Sequence, residues 1–330
     1  MDQHWVCLRE SPRLSAPGRV RLGSSYAFEV TEGEAVELAK AIRKRNPFSR
    51  VGLRHCTYAS KVEALPGRTI VRFEAVAGSR WEGDLDRVVQ GADHLERLLF
   101  LVASRRLSRL QLLRRLGLGQ HRERRTTVLI GNWSMRTPRD DVTSPRPVVI
   151  DRATLTAIKA LKVESVAQTV AKAGSPMANA LGLALRFLDF ARTEEVAEVA
   201  LVQLAIGFES IMTRKRSDNR TDLGRRLGRL VAPKADRQAE VSAWYESFYA
   251  ARNAIAHGRD VRDIRPALLR AIDDGAKVLL VACALLASEV ELVPDHAALG
   301  DAEVRWATAV PGAHVARYLP RQLVPLPSLG

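Results

Sequence analysis

The succession of helical patterns that begins at Asp151 constrains the fold more than any other feature of this sequence. Apolar residues there recur every three to four positions, which is the spacing of one helix face. Residues 194–212 are strongly apolar, so their helix is expected at the centre of a bundle. The predicted helices cover residues 153–173, 177–191, 194–212, 219–231, 236–255 and 265–289, with Ser175 as the N-cap of the second. The pattern predicts an all-α bundle over residues 151–291.

Residues 1–150 have a mixed pattern. Some short segments alternate polar and apolar side chains, as half-buried strands do, and others have helical spacing. Strands are predicted at residues 19–22, 26–30, 69–76, 126–130 and 147–150, a helix at 34–45, and one or two helices at 84–115. A polar loop with prolines at residues 135–145 is the expected domain boundary. The predicted fold class is α+β: a mixed N-terminal domain (1–150), the helical bundle, and an irregular tail (292–330) rich in Pro and Gly.

The composition is that of an ordinary globular chain, with 46% apolar and 27% charged residues. The longest apolar run, residues 278–287, is far shorter than the roughly 20 residues that cross a bilayer, and residues 1–12 lack the apolar core of a secretory signal. Three scattered cysteines (Cys7, Cys56 and Cys283) and seven dispersed histidines form no metal-binding or paired pattern. We therefore expect a cytoplasmic protein that uses neither a cofactor nor a metal and does not contact the membrane.

The net charge of +14 favours a polyanionic partner. The alternative is that it reflects a GC-rich genome, since Arg greatly outnumbers Lys and Ala, Leu and Val are abundant. Much of this charge lies in an arginine-rich stretch, residues 105–125. One interpretation is that the stretch follows a phosphate backbone. The other, which we prefer, is that its arginines form the solvated side of an amphipathic helix. In that case the inward-facing residues are Leu107, Leu110, Leu113 and Leu116.

A short motif, Arg252-Asn253-Ala254-Ile255-Ala256-His257-Gly258, brings a guanidinium, an amide and an imidazole together on one helix. Asn253 and His257 are four residues apart and share a helix face. Arg252 has a long planar side chain that can reach the same face. A fixed cation beside a group that titrates near neutrality suits work on a phosphodiester. A structural alternative is a C-terminal cap, with His257 at the negative end of the helix and Gly258 ending it.

The segment around this motif resembles the HEPN family, specifically its Apea-like branch. Four residues separate Arg252 from His257, and Phe248 and Tyr249 precede them, as in that family. An apolar helix with a Glu209-Ser210 pair and a basic amphipathic helix at residues 222–231 come before the motif in the family's order. The resemblance extends over about residues 181–289, which is under half of the chain.

The resemblance implies a helical bundle that forms a homodimer, in which two Arg/His motifs face one another across a cleft and cleave RNA without a metal. In such a composite site His257 would act as general acid or base, Arg252 would bind the non-bridging oxygens, and Asn253 would orient the phosphate or the imidazole. The nucleophile is the 2′-hydroxyl of the RNA, which DNA lacks. An endoribonuclease of a bacterial defence or toxin system is therefore expected, with RNA and a trigger protein or antitoxin as partners and the N-terminal domain sensing the trigger or positioning RNA.

Two alternatives belong to other functional classes. In the first, the bundle would be a non-catalytic HEPN module, serving as a dimerisation and RNA- or protein-binding scaffold. In the second, the protein would be a regulator that binds nucleic acid through the arginine-rich stretch. The variant His257→Ala distinguishes the scaffold from an enzyme, because only an enzyme would lose RNA cleavage in this variant. The regulator is expected to bind nucleic acid with a steep dependence on salt, and His257→Ala should not weaken this binding.

Glu209 and Tyr249 are the predicted supporting residues. A carboxylate in so apolar a helix is costly unless it is paired, so Glu209 is expected either to contact Arg252 or backbone donors or to lie at the helix's exposed edge. Glu246, Tyr249, Asn253 and His257 are spaced to form one polar stripe. Tyr249 can stack on a base, although a place in the core or at an interface is expected more often for such a tyrosine.

Overall fold

A computed structural model describes residues 3–45, 66–77, 81–116, 127–130, 135–136, 147–172, 174–309, 311 and 313–327 of the chain. Cys56 and most of the predicted loop at residues 135–145 lie outside these ranges. The protein is an α+β protein with a small antiparallel sheet near its N-terminus and a helical C-terminal region. It divides into two compact units. The first contains residues 1–96 and 115–155, and the second, which also takes in a segment from the N-terminal half of the sequence, contains residues 97–114 and 156–330.

The first unit is built on a sheet with the strand order β3-β4-β5-β1-β6-β7, in which all neighbours are antiparallel. These strands are β1 Gln3–Glu10, β3 Arg19–Arg21, β4 Tyr26–Glu29, β5 Thr69–Ala77, β6 Thr127–Ile130 and β7 Met135–Arg136. A separate parallel pair joins β2 Leu14–Ser15 to β8 Val148–Val149. Alternation explains β5, where Val71 and Phe73 are buried and Arg72 between them is half-buried. The predicted strands are confirmed, but the central strand β1 was not predicted from the sequence.

The described helices are α1 Glu32–Arg45, α2 Trp81–Ser104, α3 Arg109–Leu116, α4 Arg152–Ala160, α5 Val163–Ala171, α6 Pro176–Thr193, α7 Ala197–Met212, α8 Arg220–Val231, α9 Ala235–Ala256, α10 Arg265–Ser288 and α11 Leu299–Thr308. The single helix predicted at residues 153–173 is two helices. Lys162 has a left-handed backbone conformation with φ of 47° and separates them, so that Leu161 and Val163 on its two sides are both buried.

Helix α7 lies at the centre of the bundle, as its apolar sequence predicted, and packs against α6, α8, α9 and α10. Leu201, Leu204, Phe208 and Ile211 on this helix are fully buried. The predicted cap of α6 is also confirmed, because the Ser175 hydroxyl accepts a hydrogen bond from the Ala178 N–H at 3.1 Å. No helix in the described part of the chain is long and apolar enough to cross a membrane.

The tail from residue 292 is not irregular throughout, which corrects the prediction. It contains helix α11 and a 3-10 helix, Ala313–Tyr318. Its prolines and glycines hid a helical spacing of buried residues, Leu299, Ala302 and Trp306. Glu303 on the same helix forms ion pairs with three arginines of α8, namely Arg225, Arg226 and Arg229. The tail therefore offsets part of the positive charge of the basic helix α8.

The arginine-rich stretch also differs from its prediction. Helix α3 begins at Arg109, and it buries Arg109, Leu112 and Leu113 while Leu110, expected to face inward, is 49% exposed. Within the second unit the Arg109 N–H donates to Asp273 Oδ1 at 2.9 Å, and its guanidinium donates to the Glu194 carbonyl. Residues 105–108 form a break between α2 and α3, so Leu107 is not on a helix, and Arg109 takes a place on the inner face of α3. Arg122, Arg124 and Arg125 lie outside the described residues.

Candidate functional site

Helix α9 ends at Ala256, and its last turn carries the motif. The Gly258 N–H donates to the Ile255 carbonyl and the Arg259 N–H to the Ala254 carbonyl, both at 2.9 Å. Gly258 has a φ of +74°, which completes the hydrogen-bonding pattern of a Schellman motif. The backbone here is thus the C-terminal cap expected by the structural alternative. The His257 side chain is nevertheless exposed, so the cap and a chemical role for the imidazole are compatible.

Asn253 and His257 line an open cavity of about 550 Å³ in the second unit. Glu246 and Ser247 of α9 lie on its wall, as do Arg220 at the start of α8, Arg259 after α9, and Leu326 and Pro327 near the C-terminus. Two arginines, one histidine and one carboxylate thus line a cavity that can admit a small polar ligand. The excess of cationic groups favours an anion such as a phosphate.

Arg252 does not belong to the cavity wall but to the neighbouring face of α9. Its Nη2 lies 3.6 Å from Glu209 Oε1 of α7, and its Nη1 donates to Asn253 Oδ1 at 3.0 Å. The guanidinium carbon lies 5.5 Å from the centre of the Tyr249 ring. Glu209 is therefore half-buried and paired with Arg252, the first of its two predicted arrangements. The structure brings together Arg252, Asn253, Glu209 and Tyr249, and His257 joins them through Asn253 and the cavity.

The tyrosines beside this pair keep their protons at neutral pH. Burial, together with a hydrogen bond to Glu209, raises the pKa of Tyr249 above its usual value. Burial raises the pKa of Tyr245 well above its usual value, with the charge of Glu209 adding to the effect. Tyr249 is not among the residues that line the cavity, and its ring lies against the Arg252 guanidinium.

Aromatic packing fixes α9 against α7 and so sets the distance between Arg252 and Glu209. The Phe208 ring of α7 lies 6.2, 5.4 and 5.9 Å from the rings of Trp244, Tyr245 and Phe248 on α9. Phe208 comes directly before Glu209, and all four rings are fully buried. Rigid packing of this kind lets a half-exposed ion pair form at the edge of the aromatic cluster.

The contact with Arg252 determines how Asn253 presents its amide. A guanidinium only donates hydrogen bonds, so the oxygen of the Asn253 side chain must face Arg252. The Asn253 Nδ2 is then the group that remains for a ligand in the cavity. Glu209, Arg252 and Asn253 form a chain of contacts that ends in an amide N–H beside the His257 imidazole.

Two glycines of α8 set its position along α9. A Cβ at Gly224 would lie 3.1 Å from the Ser242 carbonyl oxygen, and one at Gly228 would lie 2.6 Å from the Gln238 carbonyl oxygen. The two helices therefore run antiparallel in close contact, and each turn along α8 corresponds to one turn back along α9. One further turn places Arg220 opposite Glu246, which is why both side chains line the same cavity.

The C-terminal segment, residues 320–327, runs along α9 towards the cavity. Arg237 donates to the Pro320 carbonyl, the Leu323 N–H donates to Glu240 Oε1 at 2.6 Å, and the Leu326 N–H donates to Ser247 Oγ at 2.9 Å. The three residues of α9 that bind this segment, Arg237, Glu240 and Ser247, are three and seven residues apart along the helix. Leu323 and Leu326 are buried, and Leu326 and Pro327 form an apolar part of the cavity wall.

Asn253, His257 and Glu246 were predicted from the sequence, whereas Arg220 and Arg259 were not. Both arginines lie outside the helical spacing of the motif: one is the first residue of α8, and the other directly follows Gly258, beyond the end of α9. The position of Arg220 depends on the close contact of α8 with α9, which has no local signal in the sequence. The position of Arg259 depends on the Schellman turn, for which Gly258 is a local signal. Among the described residues, no group of three or more His, Cys, Asp or Glu side chains could hold a metal ion.

No protein-family model, curated protein or solved structure matches the chain. The resemblance to the HEPN family therefore stays a prediction that depends on the motif and its helical context.

Proposed function

We propose that the protein is a metal-independent endoribonuclease of the HEPN type, which cleaves RNA at a composite site formed by two copies of the chain. The observation that carries this proposal is the open cavity in which the exposed His257 imidazole lies beside the Asn253 amide, with Arg220 and Arg259 on the same wall. An accessible imidazole close to fixed cations is what phosphodiester chemistry at neutral pH requires.

The reaction follows from the chemistry of RNA. His257 accepts the proton of the 2′-hydroxyl, and the 2′-oxygen forms a bond to phosphorus while the bond to the 5′-oxygen breaks. The corresponding histidine of the second copy donates a proton to the departing 5′-oxygen. The Asn253 Nδ2 and the cavity arginines stabilise the charge on the non-bridging oxygens. The products are a 2′,3′-cyclic phosphate and a 5′-hydroxyl.

Within this proposal Arg252 is a positioning residue. Its contacts with Glu209 and Asn253 support a role in fixing the amide, in place of the direct phosphate contact expected from the sequence. A conservative change that keeps the charge but loses the planar fork, Arg252→Lys, should then lower kcat with little change in KM.

A second copy of the chain is part of the proposal, and an apolar surface supports it. Leu183, Phe190, Val196 and Val199, on and between α6 and α7, are each at least 40% exposed. Side chains of this kind are a favourable surface for association when they lie together. Sedimentation of the wild type and of Phe190→Asp tests this part directly, since the charged variant is expected to sediment as a monomer.

Cleavage of a labelled RNA in the presence of EDTA tests the activity. His257→Ala should lower the rate by about 100-fold or more, since general acid–base groups contribute effects of that size. The matched control is His314→Ala, which removes another exposed histidine of the same unit. If His257→Ala cleaves RNA as fast as the wild type does, the enzyme proposal is wrong.

The engagement of Arg252 by Glu209 and Asn253 also favours a second candidate, a non-catalytic scaffold that dimerises and binds RNA or protein. In that case Arg252 serves only to hold α9 against α7. The scaffold predicts RNA binding without cleavage in the wild type, and binding that is unchanged in His257→Ala. A trigger protein or an antitoxin is a proposed partner in either case.

A further inference from the structure

We infer that the cavity beside Asn253 and His257 is a subsite for one guanine nucleotide of the RNA, with Glu246 and Arg220 recognising the base. This inference rests on the proposed function in taking RNA as the source of the nucleotide. The cavity volume of about 550 Å³ is in the range of small-molecule sites. The two ends of the cavity carry different chemistry, and this difference identifies the ligand.

One end of the cavity is suited to a phosphate. Asn253, His257 and Arg259 lie there, at the C-terminal end of α9 and just beyond it. The Asn253 Nδ2 and the Arg259 guanidinium are donors, as is a protonated His257, and no carboxylate of the cavity wall belongs to this end of α9. Charge-assisted donors of this kind bind phosphate oxygens strongly.

The other end carries opposite charges that face each other across the cavity. Glu246 on α9 lies opposite Arg220 on α8, as the close contact of the two helices requires. Among the described residues no hydrogen bond or ion pair joins these two side chains, and neither has another partner there. A carboxylate and a guanidinium that line one cavity without pairing both keep their capacity to bind a ligand.

Guanine matches this pair of groups. Its O6 and N7 atoms accept hydrogen bonds, which a guanidinium donates in a bidentate arrangement. Its N1–H and N2–H donate side by side to a single carboxylate. Adenine lacks the carbonyl oxygen and offers one donor group, while the pyrimidines offer one donor on the pairing edge and are smaller. Arg220 and Glu246 together therefore select guanine.

The dimensions of the cavity agree with a whole nucleotide. Glu246 on α9 and His257, which directly follows this helix, are eleven residues apart, which is about 16 Å along the helix axis. That span exceeds what a phosphate alone occupies and leaves room for a base, a ribose and the 3′-phosphate in line. Leu326 and Pro327 supply an apolar wall at the Glu246 end, because the Leu326 N–H is bonded to Ser247. A base ring can lie against this wall.

The test is calorimetric binding of the four nucleoside 3′-monophosphates to the full-length protein. We expect guanosine 3′-monophosphate to bind at least about 10-fold more tightly than the other three, which is the size of discrimination that one bidentate contact gives. Glu246→Gln and, independently, Arg220→Ala should remove this preference. Arg216→Ala, which changes an exposed arginine of the loop before α8, should keep it. Circular dichroism confirms that each variant is folded.

Equal binding of the four nucleotides, or no binding of any, rules the subsite out, even if the protein cleaves RNA. Guanine-selective binding by a protein that does not cleave RNA sustains the subsite and refutes the nuclease. An RNA hexamer with a single G should compete with the mononucleotide, and the cut should fall on the 3′ side of that G. Binding of free GTP in preference to the hexamer would assign the cavity to a soluble nucleotide and contradict the inference.

Discussion

Two groups of arginines in the second unit serve different purposes. Arg109, Arg192 and Arg226 are buried and bonded to carboxylates and backbone carbonyls. Arg220 and Arg259, in contrast, are exposed on the wall of the cavity that contains His257. The first group holds helices together, and the second lies where an anion can reach it. A net charge of +14 therefore says less about a nucleic-acid partner than the burial of each guanidinium does.

The largest effect is expected at Arg192. Its Nη1 pairs with Asp273 at 3.0 Å, and its Nη2 donates to the carbonyls of Ser104 and Leu107 at 2.9 and 3.0 Å. Arg192→Ala leaves a carboxylate and two carbonyls without this partner, and the free energy of unfolding should fall by about 3–5 kcal/mol. Urea denaturation measures the loss. Arg186→Ala, an exposed change on the same helix, should stay within about 0.5 kcal/mol of the wild type. Equal stabilities of the two variants would remove the distinction between the groups.

The next largest effect is expected where α8 meets α9. Gly228→Ala introduces a Cβ 2.6 Å from the Gln238 carbonyl oxygen, so the helices must move apart. Overpacking of this kind costs about 1–3 kcal/mol. The same movement takes Arg220 away from Glu246, so RNA affinity should fall together with stability. Denaturation and RNA binding are measured on one preparation, and Gly300→Ala, whose new Cβ lies nearest to the flexible end of the Arg214 side chain, is the milder control. Unchanged RNA affinity in a destabilised Gly228→Ala would separate the cavity from this helix contact.

Changes to the cavity arginines are expected to weaken RNA binding while leaving the stability of the protein almost unchanged. The double variant Arg220→Ala/Arg259→Ala should unfold within about 0.5 kcal/mol of the wild type, because both side chains are exposed and contacts of exposed charged groups contribute little to stability. Its affinity for single-stranded RNA should fall. The plot of log K against log salt, whose slope is negative, should become less steep by about 0.7 for each phosphate that the variant no longer binds. Fluorescence anisotropy over a salt series gives both values. An unchanged slope would show that these arginines do not bind phosphate.

The sequence was sufficient for the fold class, most helices and the motif, because these depend on local periodicity and caps. Ser175 and the apolar helix α7 are examples. Strand β1 was missed because its place depends on strands about 60 and 120 residues away, which pair with it on both sides. Helix α11 was hidden by neighbouring prolines, and its Glu303 is explained only by three arginines of α8.

The candidate site was predicted only in part, because some of its residues follow a local pattern and others depend on contacts between helices. Spacing along one helix identified Asn253, His257 and the Glu246 stripe. Whether Arg252 faces the cavity or Glu209 depends on the packing of Phe208 against α9, which no local pattern encodes. Arg252 thus lies between the two groups of arginines: it is half-buried, it is paired like the first group, and through Asn253 it acts on the cavity of the second.

The smallest effect is expected from Tyr249, whose contact with Glu209 supports this intermediate position of Arg252. Burial and the hydrogen bond to Glu209 raise the pKa of Tyr249 in the folded protein. Its contribution to stability is therefore complete below pH 10, the usual value for tyrosine, and is lost as the pH rises through the folded-state value. Thermal unfolding of the wild type and Tyr249→Phe from pH 8 to 12 should show a stability difference that is largest at pH 8 and declines above pH 10. Tyr245 is present in both proteins, and burial, the main cause of its raised pKa, is common to both. Parallel curves over the whole range would mean that the Tyr249 hydroxyl does not stabilise Glu209, and the position of Arg252 would then depend on its own contacts with Glu209 and Asn253.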